Sequence, residues 1–123
     1  MILNITQHPA TAEQRSAGVA DLTGADLSAL QDLLTFGELP TEESLSVRAA
    51  QVAELVANHG ATTAMIGGAP YFMSPLERAL LFVGVAPIYA FSVRESVETV
   101  RTDGSVAKVA VFRHLGFVPA VAP

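Results

Sequence analysis

A histidine and a glutamine stand together in the opening segment NITQHPAT, directly after a short apolar run. His8 can act as a general acid or read a nucleobase, and Gln7 beside it can contact the same ligand. The alternative is a loop histidine that hydrogen-bonds its own turn, ahead of a proline that favours extended backbone. His59, at the end of a predicted helix, fits instead a partner for the negative end of the helix dipole.

Two glycines follow a second apolar run in the segment IGGAPYF. Gly67 and Gly68 let backbone N–H groups come close to a phosphate or another anion. The segment has neither the lysine of a Walker loop nor the G-x-G-x-x-G spacing of a dinucleotide-binding loop. A tight turn without a ligand is the alternative.

Hydroxyl and guanidinium groups alternate in the segment FSVRESVE. If the strand continues through it, Ser92, Arg94 and Ser96 point to one side, where they suit phosphate oxygens. An exposed strand end with an Arg–Glu surface pair explains the same residues without a ligand.

A cationic pair interrupts the apolar run of VAKVAVFRHLGFV near the end of the chain. Strand alternation puts Lys108 and His114 on one face and Arg113 on the other, unless a bulge changes the phase. One of Arg113 and His114 then faces an anionic ligand or a partner subunit, and the other packs or extends to solvent. The pattern does not decide between them.

Composition excludes several kinds of chemistry. The chain has no cysteine, so thiol catalysis and disulfides are absent. The three histidines have no metal-ligand spacing, and neither H-E-x-x-H nor G-x-S-x-G occurs. We therefore expect no metal and no other cofactor, and the sequence gives no support to a hydrolase triad.

The net charge is −5, which argues against a broad surface for duplex nucleic acid. Residues 1–77 hold nine acidic and two basic side chains, whereas residues 78–123 hold three acidic and five basic ones. A small cationic site for a compact anion is compatible with this distribution. No apolar run is long enough to span a bilayer and no signal peptide is recognisable, so we expect a cytoplasmic protein without membrane contact.

Short apolar runs alternate with helical patterns along the 123 residues, which predicts one α/β domain over 1–123. We expect a three-layer, Rossmann-like domain with a mostly parallel sheet and an antiparallel hairpin at its C-terminal end. Thr11 and Thr41 are predicted to cap helices, and Ser74-Pro75 is predicted to begin the last one. Ligands of such sheets bind beyond the carboxyl ends of the strands, where the strand order reverses. This rule brings the segments at 7–8, 67–68 and 92–94 to one edge.

The C-terminal third, PIYAFSVRESVETVRTDGSVAKVAVFRHLGFV, resembles the closing hairpin of small stand-alone CRISPR-associated ring nucleases. The resemblance is clearest over residues 87–118, with its Pro-x-Tyr-Ala strand, Asp-Gly turn and Phe-Arg-His strand. It extends to the glycine segment at 62–68 and to the opening TQHPATAEQ, whereas residues 24–60 have no counterpart.

This resemblance implies a homodimer that binds a cyclic oligoadenylate across its two-fold axis. It further implies metal-independent cleavage, in which a ribose 2′-OH attacks the adjacent phosphate, in a CRISPR or phage-defence setting. The alternatives are a protein that sequesters a cyclic nucleotide without cleaving it and a small α/β dimerisation module. The candidate catalytic residues are His8, Ser92 and Arg94. The candidate ligand-binding residues are Gln7, Gly67, Gly68, Ser96, Lys108, Arg113 and His114.

Overall fold

The computed structural model describes residues 1–120 as an α/β domain around one five-stranded sheet. The strands are β1 (Ile2–Ile5), β2 (Val19–Asp21), β3 (Thr63–Ile66), β4 (Ala86–Val100) and β5 (Val106–Pro119). The helices are α1 (Ala12–Ser16), α2 (Gly24–Leu34), α3 (Glu42–Asn58) and α4 (Pro70–Phe82). The predicted fold class is confirmed: the sheet is mostly parallel and ends in an antiparallel β4–β5 pair.

The strand order is β2-β1-β3-β4-β5, so the chain leaves β1 towards one edge of the sheet and then returns past it. Because crossovers between parallel strands are right-handed, this reversal places α1 on one face and the three longer helices on the other. The order reverses between β1 and β3. The carboxyl ends of these two strands therefore define the position where such sheets bind ligands.

The main core lies between the sheet and the longer helices. Leu3, Ile5, Ala64 and Ile66 face it from β1 and β3, and Leu30, Val52, Val56, Phe72, Leu76 and Leu80 face it from the helices. Within residues 1–120, the opposite face carries only a small buried apolar cluster of Ala10, Val19 and Met65, with Ile2, Ile88 and Phe117 packed around it. The side of the sheet that carries α1 is thus thinly covered.

The connection between α2 and α3 is held by an arginine of α3. The Arg48 guanidinium donates to the carbonyl oxygens of Asp32, Leu33 and Thr35, the closest at 2.6 Å, and lies 4.5 Å from the ring centre of Phe36. These bonds satisfy carbonyl groups that the end of α2 leaves without helical partners. The caps predicted at Thr11 and Thr41 are both present, and each forms a capping box with the residue three positions further on.

The predicted start of the last helix is wrong. The helix begins at Pro70 rather than at Ser74-Pro75, which places Pro75 inside it and removes one helical hydrogen bond. Phe72 and Met73 are buried in the core from the first turn. Because burial of two large apolar side chains outweighs a single lost hydrogen bond, the helix includes them.

Strands β4 and β5 extend far beyond the rest of the sheet. β4 pairs with β3 only over Ala86–Ile88, and we call the remaining part of the hairpin, residues 89–118, the arm. At its tip Asp103 accepts hydrogen bonds from the backbone N–H and hydroxyl of Ser105, and Gly104 adopts a φ of +82°. The turn occupies residues 101–105.

Within residues 1–120, no helix is long and apolar enough to cross a membrane.

Candidate functional site

A cleft of about 450 Å³ opens at the carboxyl ends of β1 and β3, beside the first residues of the arm. This volume falls within the range of small-molecule sites. Its lining residues come from the loop after β1, from α1, from the end of β3 and from the start of the arm. They are Thr6, Gln7, His8, Pro9, Thr11, Gln14, Met65, Ile66, Gly67, Gly68, Tyr89 and Ala90. The cleft therefore lies where the strand order reverses, and four of the predicted site residues line it.

A buried asparagine organises the loop that carries His8. The side-chain amide of Asn4, 4% exposed, donates to the backbone carbonyl of His8 at 2.8 Å and to Asp21 Oδ1 at 2.7 Å. Its carbonyl oxygen accepts from the backbone N–H of Thr6 at 3.0 Å. Because Asn4 projects from the centre of β1, these bonds fix the loop to the sheet and hold His8 at the cleft.

Gln7 takes part in the same arrangement from the other side of the loop. Its amide nitrogen donates to the carbonyl oxygen of Leu34 at 3.1 Å and lies 3.3 Å from the Thr35 hydroxyl. These contacts join the loop to the end of α2 and leave the amide oxygen of Gln7 as the group available to a ligand.

Asp21 closes the network at the end of β2. Its carboxylate accepts hydrogen bonds from Asn4, from the backbone N–H of Ala10 at 3.0 Å and from Arg15 at 3.3 Å. Burial alone would raise the pKa of Asp21, but the hydrogen bonds together outweigh it and hold the pKa below its ordinary value. The charged form of Asp21 is thus the form that the fold favours.

We expect Asp21→Asn to lower the free energy of unfolding by about 1 kcal/mol at neutral pH, because hydrogen bonds to a charged acceptor are stronger. A depressed folded-state pKa stabilises the protein above the unfolded-state pKa, and this contribution disappears as pH falls through the folded-state value. The difference in unfolding free energy between the wild type and the variant should therefore disappear below about pH 4. Urea unfolding at several pH values measures it.

The exposed carboxylate Glu54 on α3 provides the control, and Glu54→Gln should change the unfolding free energy by less than about 0.5 kcal/mol. If the difference in unfolding free energy between the wild type and Asp21→Asn is the same from neutral to acid pH, the role given to the charge of Asp21 is wrong.

The glycine segment after β3 leads straight into a helix. Gly68 has a φ of +139°, a conformation that side chains with a Cβ rarely adopt, so this position needs glycine. Ala69 is the N-cap of α4 and makes no side-chain cap, and the first turn contains no acidic residue. The positive end of the α4 dipole therefore lies next to the cleft without a side chain that neutralises it. Pro70 costs little here, because an N–H at the first helical position has no helical partner.

Tyr89 borders the cleft at the base of the arm. Burial, followed by the charge and the hydrogen bond of Glu77, raises the pKa of Tyr89 to about 12. Its hydroxyl donates to Glu77 Oε2 at 3.3 Å. At neutral pH this tyrosine stays protonated, so it is unsuited to act as a nucleophile.

The arm has two faces of different character, and the pairing register defines them. The cleft-side face continues from Ala90, in the wall of the cleft, along the same side of β4. It consists of Ser92, Arg94, Ser96 and Glu98 on β4 and Lys108, Ala110, Phe112 and His114 on β5. The helix-side face consists of Val93, Glu95, Val97 and Thr99 on β4 and Ala107, Val109, Val111 and Arg113 on β5. Five of the predicted site residues thus share the cleft-side face.

The pairing register determines which of Arg113 and His114 faces the cleft side. A bulge between Phe91 and Ser92 leaves Leu115 without a partner, so His114 and Phe117 lie on the same face. Their rings meet edge to face with centres 4.9 Å apart. Arg113 lies on the opposite face, where it pairs with Glu95 at 3.3 Å. Its guanidinium therefore points away from the cleft.

The candidate residues thus form two groups that adjoin rather than one compact constellation. Gln7, His8, Gly67 and Gly68 line the cleft, and Ser92, Arg94, Ser96, Lys108 and His114 follow it along the arm. Arg94 lies four residues beyond Ala90, about 13 Å along the strand. Within residues 1–120, neither Arg94 nor Lys108 takes part in an ion pair.

Sequence reasoning missed Asn4, Asp21 and Phe112. A polar residue inside the apolar run ILNI was a usable signal for Asn4, because a buried amide needs hydrogen-bond partners. Asp21 and Phe112 gave no comparable signal. In the described part of the chain, residues 1–120, no group of three or more histidine, aspartate or glutamate side chains is arranged to hold a metal ion.

The strand order and the position of the cleft define an α/β protein of the doubly wound type, with a hairpin arm in place of a final parallel strand. A family model described as "Uncharacterized protein MJ1673 family" matches residues 1–118, and the chain belongs to this family. No curated protein and no solved structure is similar enough to the chain to count as a match.

Proposed function

We propose that the protein binds a cyclic oligoadenylate in the cleft and along the cleft-side face of the arm, and cleaves it without a metal. The observation that carries this proposal is the continuity of the two surfaces. The cleft holds a histidine next to an uncapped helix N-terminus, and the adjoining face carries Arg94, Lys108 and His114. We further propose that it acts in the cytoplasm, in a CRISPR or phage-defence setting.

The charge of the cleft favours a phosphate ligand. Its twelve lining residues include no aspartate or glutamate, although the chain as a whole has a net charge of −5. A helix dipole and unpaired cations beside such a cleft stabilise a phosphodiester. The acidic surface elsewhere repels long polyanions, which favours a compact anion over duplex nucleic acid.

The dimensions and the exposed aromatic side chain favour an oligonucleotide over a single nucleotide. A ligand that reaches both His8 and Arg94 must extend beyond the cleft along the arm. Phe112 pairs directly with Arg94 across the two strands, and its ring is 74% exposed. Exposed aromatic rings beside cations are the usual stacking platforms for nucleobases of single-stranded ligands.

The cleavage we propose is an intramolecular transesterification. A ribose 2′-oxygen attacks the neighbouring phosphorus, the bond from phosphorus to the 5′-oxygen breaks, and a 2′,3′-cyclic phosphate and a 5′-hydroxyl form. The 2′-hydroxyl gives its proton to His8, and the departing 5′-oxygen takes one from solvent. The backbone N–H groups after β3 stabilise the charge that develops on the phosphate beside His8, and Arg94 and Ser92, further along the arm, hold a neighbouring phosphate and so keep the ring in the reactive orientation.

A second candidate function is sequestration of the ring without cleavage. The supporting observation is that within residues 1–120 the cleft holds a single histidine and no carboxylate, so one side chain would have to manage the proton transfer. The third hypothesis is a small α/β dimerisation module without a nucleotide ligand.

One experiment distinguishes these three hypotheses. The protein is incubated with cyclic oligoadenylates of several ring sizes, cyclic tetra-adenylate included, and the products are analysed by chromatography. Linear products that end in a 2′,3′-cyclic phosphate support the enzyme. Tight binding of an intact ring supports sequestration. Absence of binding for every ring size excludes both.

Arg94→Ala and Arg113→Ala form a matched pair, because they remove the same charge from opposite faces of the same hairpin. We expect Arg94→Ala to slow cleavage about 100-fold, since it removes the charged donor that holds a neighbouring phosphate and orients the ring for attack. Arg113→Ala should change the rate by less than about threefold, as expected for a distant exposed ion pair. Single-turnover rates measure both, and equal losses for the two variants would contradict the assignment of the faces.

A further inference from the structure

The helix-side face of the arm is an apolar surface that residues 1–120 leave uncovered. Val97, Val109 and Val111 are 40%, 45% and 38% exposed, and Phe91 at the base of the same face is 50% exposed. The other face of the same ribbon carries most of the polar side chains. The arm is therefore an amphipathic two-stranded ribbon whose apolar side faces solvent.

Such a ribbon needs a cover. An isolated two-stranded hairpin is marginally stable in water, and β4 is paired with the body of the sheet only over residues 86–88. A contiguous apolar surface with polar residues around it is typical of a protein interface. β-Branched side chains on two such ribbons pack face to face in the manner of two stacked sheets.

We propose that the helix-side face of the arm packs against the same face of a second copy of this chain, related by a two-fold axis. The charges on the face support a second copy as the occupant. It carries one acid and one base, Glu95 and Arg113, which form an ion pair. A two-fold axis along the ribbon brings Glu95 of each copy beside Arg113 of the other, so the face is complementary to itself.

This interface lies on the opposite side of the arm from the proposed ligand face. Each copy then keeps its own cleft accessible. The proposed dimer can therefore be wrong without the proposed activity being wrong, and the reverse also holds. The apolar face from Phe91 to Val100 is about 33 Å long and two strands wide, which is smaller than the standard interface of about 800 Å² per partner. We therefore expect a dissociation constant in the micromolar range.

Sedimentation velocity of the full chain at increasing concentration tests the proposal, with Val109→Glu and Ala110→Glu as matched variants. They introduce the same charge at adjacent positions on opposite faces of β5. The wild type and Ala110→Glu should dimerise, and Val109→Glu should stay monomeric with an unchanged helical signal in its circular dichroism spectrum, because all four helices lie outside the arm. A monomeric wild type at sub-millimolar concentration, or equal behaviour of the two variants, overturns the proposal.

Charge reversal tests the symmetry of the contact. Glu95→Arg and Arg113→Glu should each be monomeric alone, because each copy then presents two like charges to its twin. Mixed together, the two variants should form a heterodimer that native mass spectrometry detects. If the mixture stays monomeric, the two-fold contact between these faces is wrong.

Discussion

His8→Ala is expected to lower the rate of ring opening by about 10²- to 10⁴-fold, the usual contribution of a positioned acid–base group. Affinity for the uncleaved ring should change much less, since the phosphate contacts remain. Single-turnover kinetics on a labelled cyclic oligoadenylate, with binding measured separately, distinguishes the two quantities. Partial recovery of the rate on addition of free imidazole would identify the lost group as a proton carrier.

His59→Ala is the matched control. His59 lies at the end of α3, where its ring nitrogen is 3.0 Å from Asp26 Oδ2. Because α3 ends just before β3 begins, this histidine is at the opposite end of the sheet from the cleft. The variant should cleave at the wild-type rate. An unchanged rate for His8→Ala would remove His8 from the site, and a loss for His59→Ala would indicate damage to the fold.

Asn4→Ala is expected to lower the free energy of unfolding by about 3 kcal/mol and the melting temperature by about 10 °C. The substitution leaves the Asp21 carboxylate, the backbone N–H of Thr6 and the carbonyl of His8 without their shared partner. Loss of a hydrogen-bond partner by buried polar groups is one of the mechanisms behind the largest decreases in stability that single substitutions cause. Calorimetry and urea titration measure both values.

Asn58→Ala provides the comparison for this variant. Asn58 is the exposed last residue of α3, and its replacement should change the unfolding free energy by less than about 0.5 kcal/mol. A double-mutant cycle between Asn4→Ala and Asp21→Ala should give a coupling energy of about 1 kcal/mol or more. Additive losses would show that the two residues do not act as one network.

Local patterns in the sequence predict most of the elements. The caps at Thr11 and Thr41 each bond to the residue three positions further on, so their geometry is fixed within a single turn and the sequence predicts both caps. The start of α4 could not be read in this way. Either Pro70 or Pro75 could occupy the first helical position. The helix begins at Pro70 because Phe72 is then buried in the core, and local sequence does not show which residues form that core.

The site was predictable only in part, for a similar reason. The strand-end rule identified Gln7, His8 and the two glycines, because the crossover handedness fixes where strand ends meet. The network of Asn4 joins residues 17 positions apart, beyond the reach of local patterns. Simple alternation back from Phe117 would put Arg113 on the cleft side, and one bulged residue, Leu115, reverses that outcome.

The short pairing of β4 with β3 also divides the molecule into two units of different local stability. Only Ala86–Ile88 join the arm to the parallel sheet, so the arm can open while the body stays folded. In amide hydrogen exchange, the protection of the arm is then set by its own opening and by any surface that covers it, and the protection of β1 and β3 is set by global unfolding. Anything that bound the cleft and the arm together would link these two opening equilibria into one.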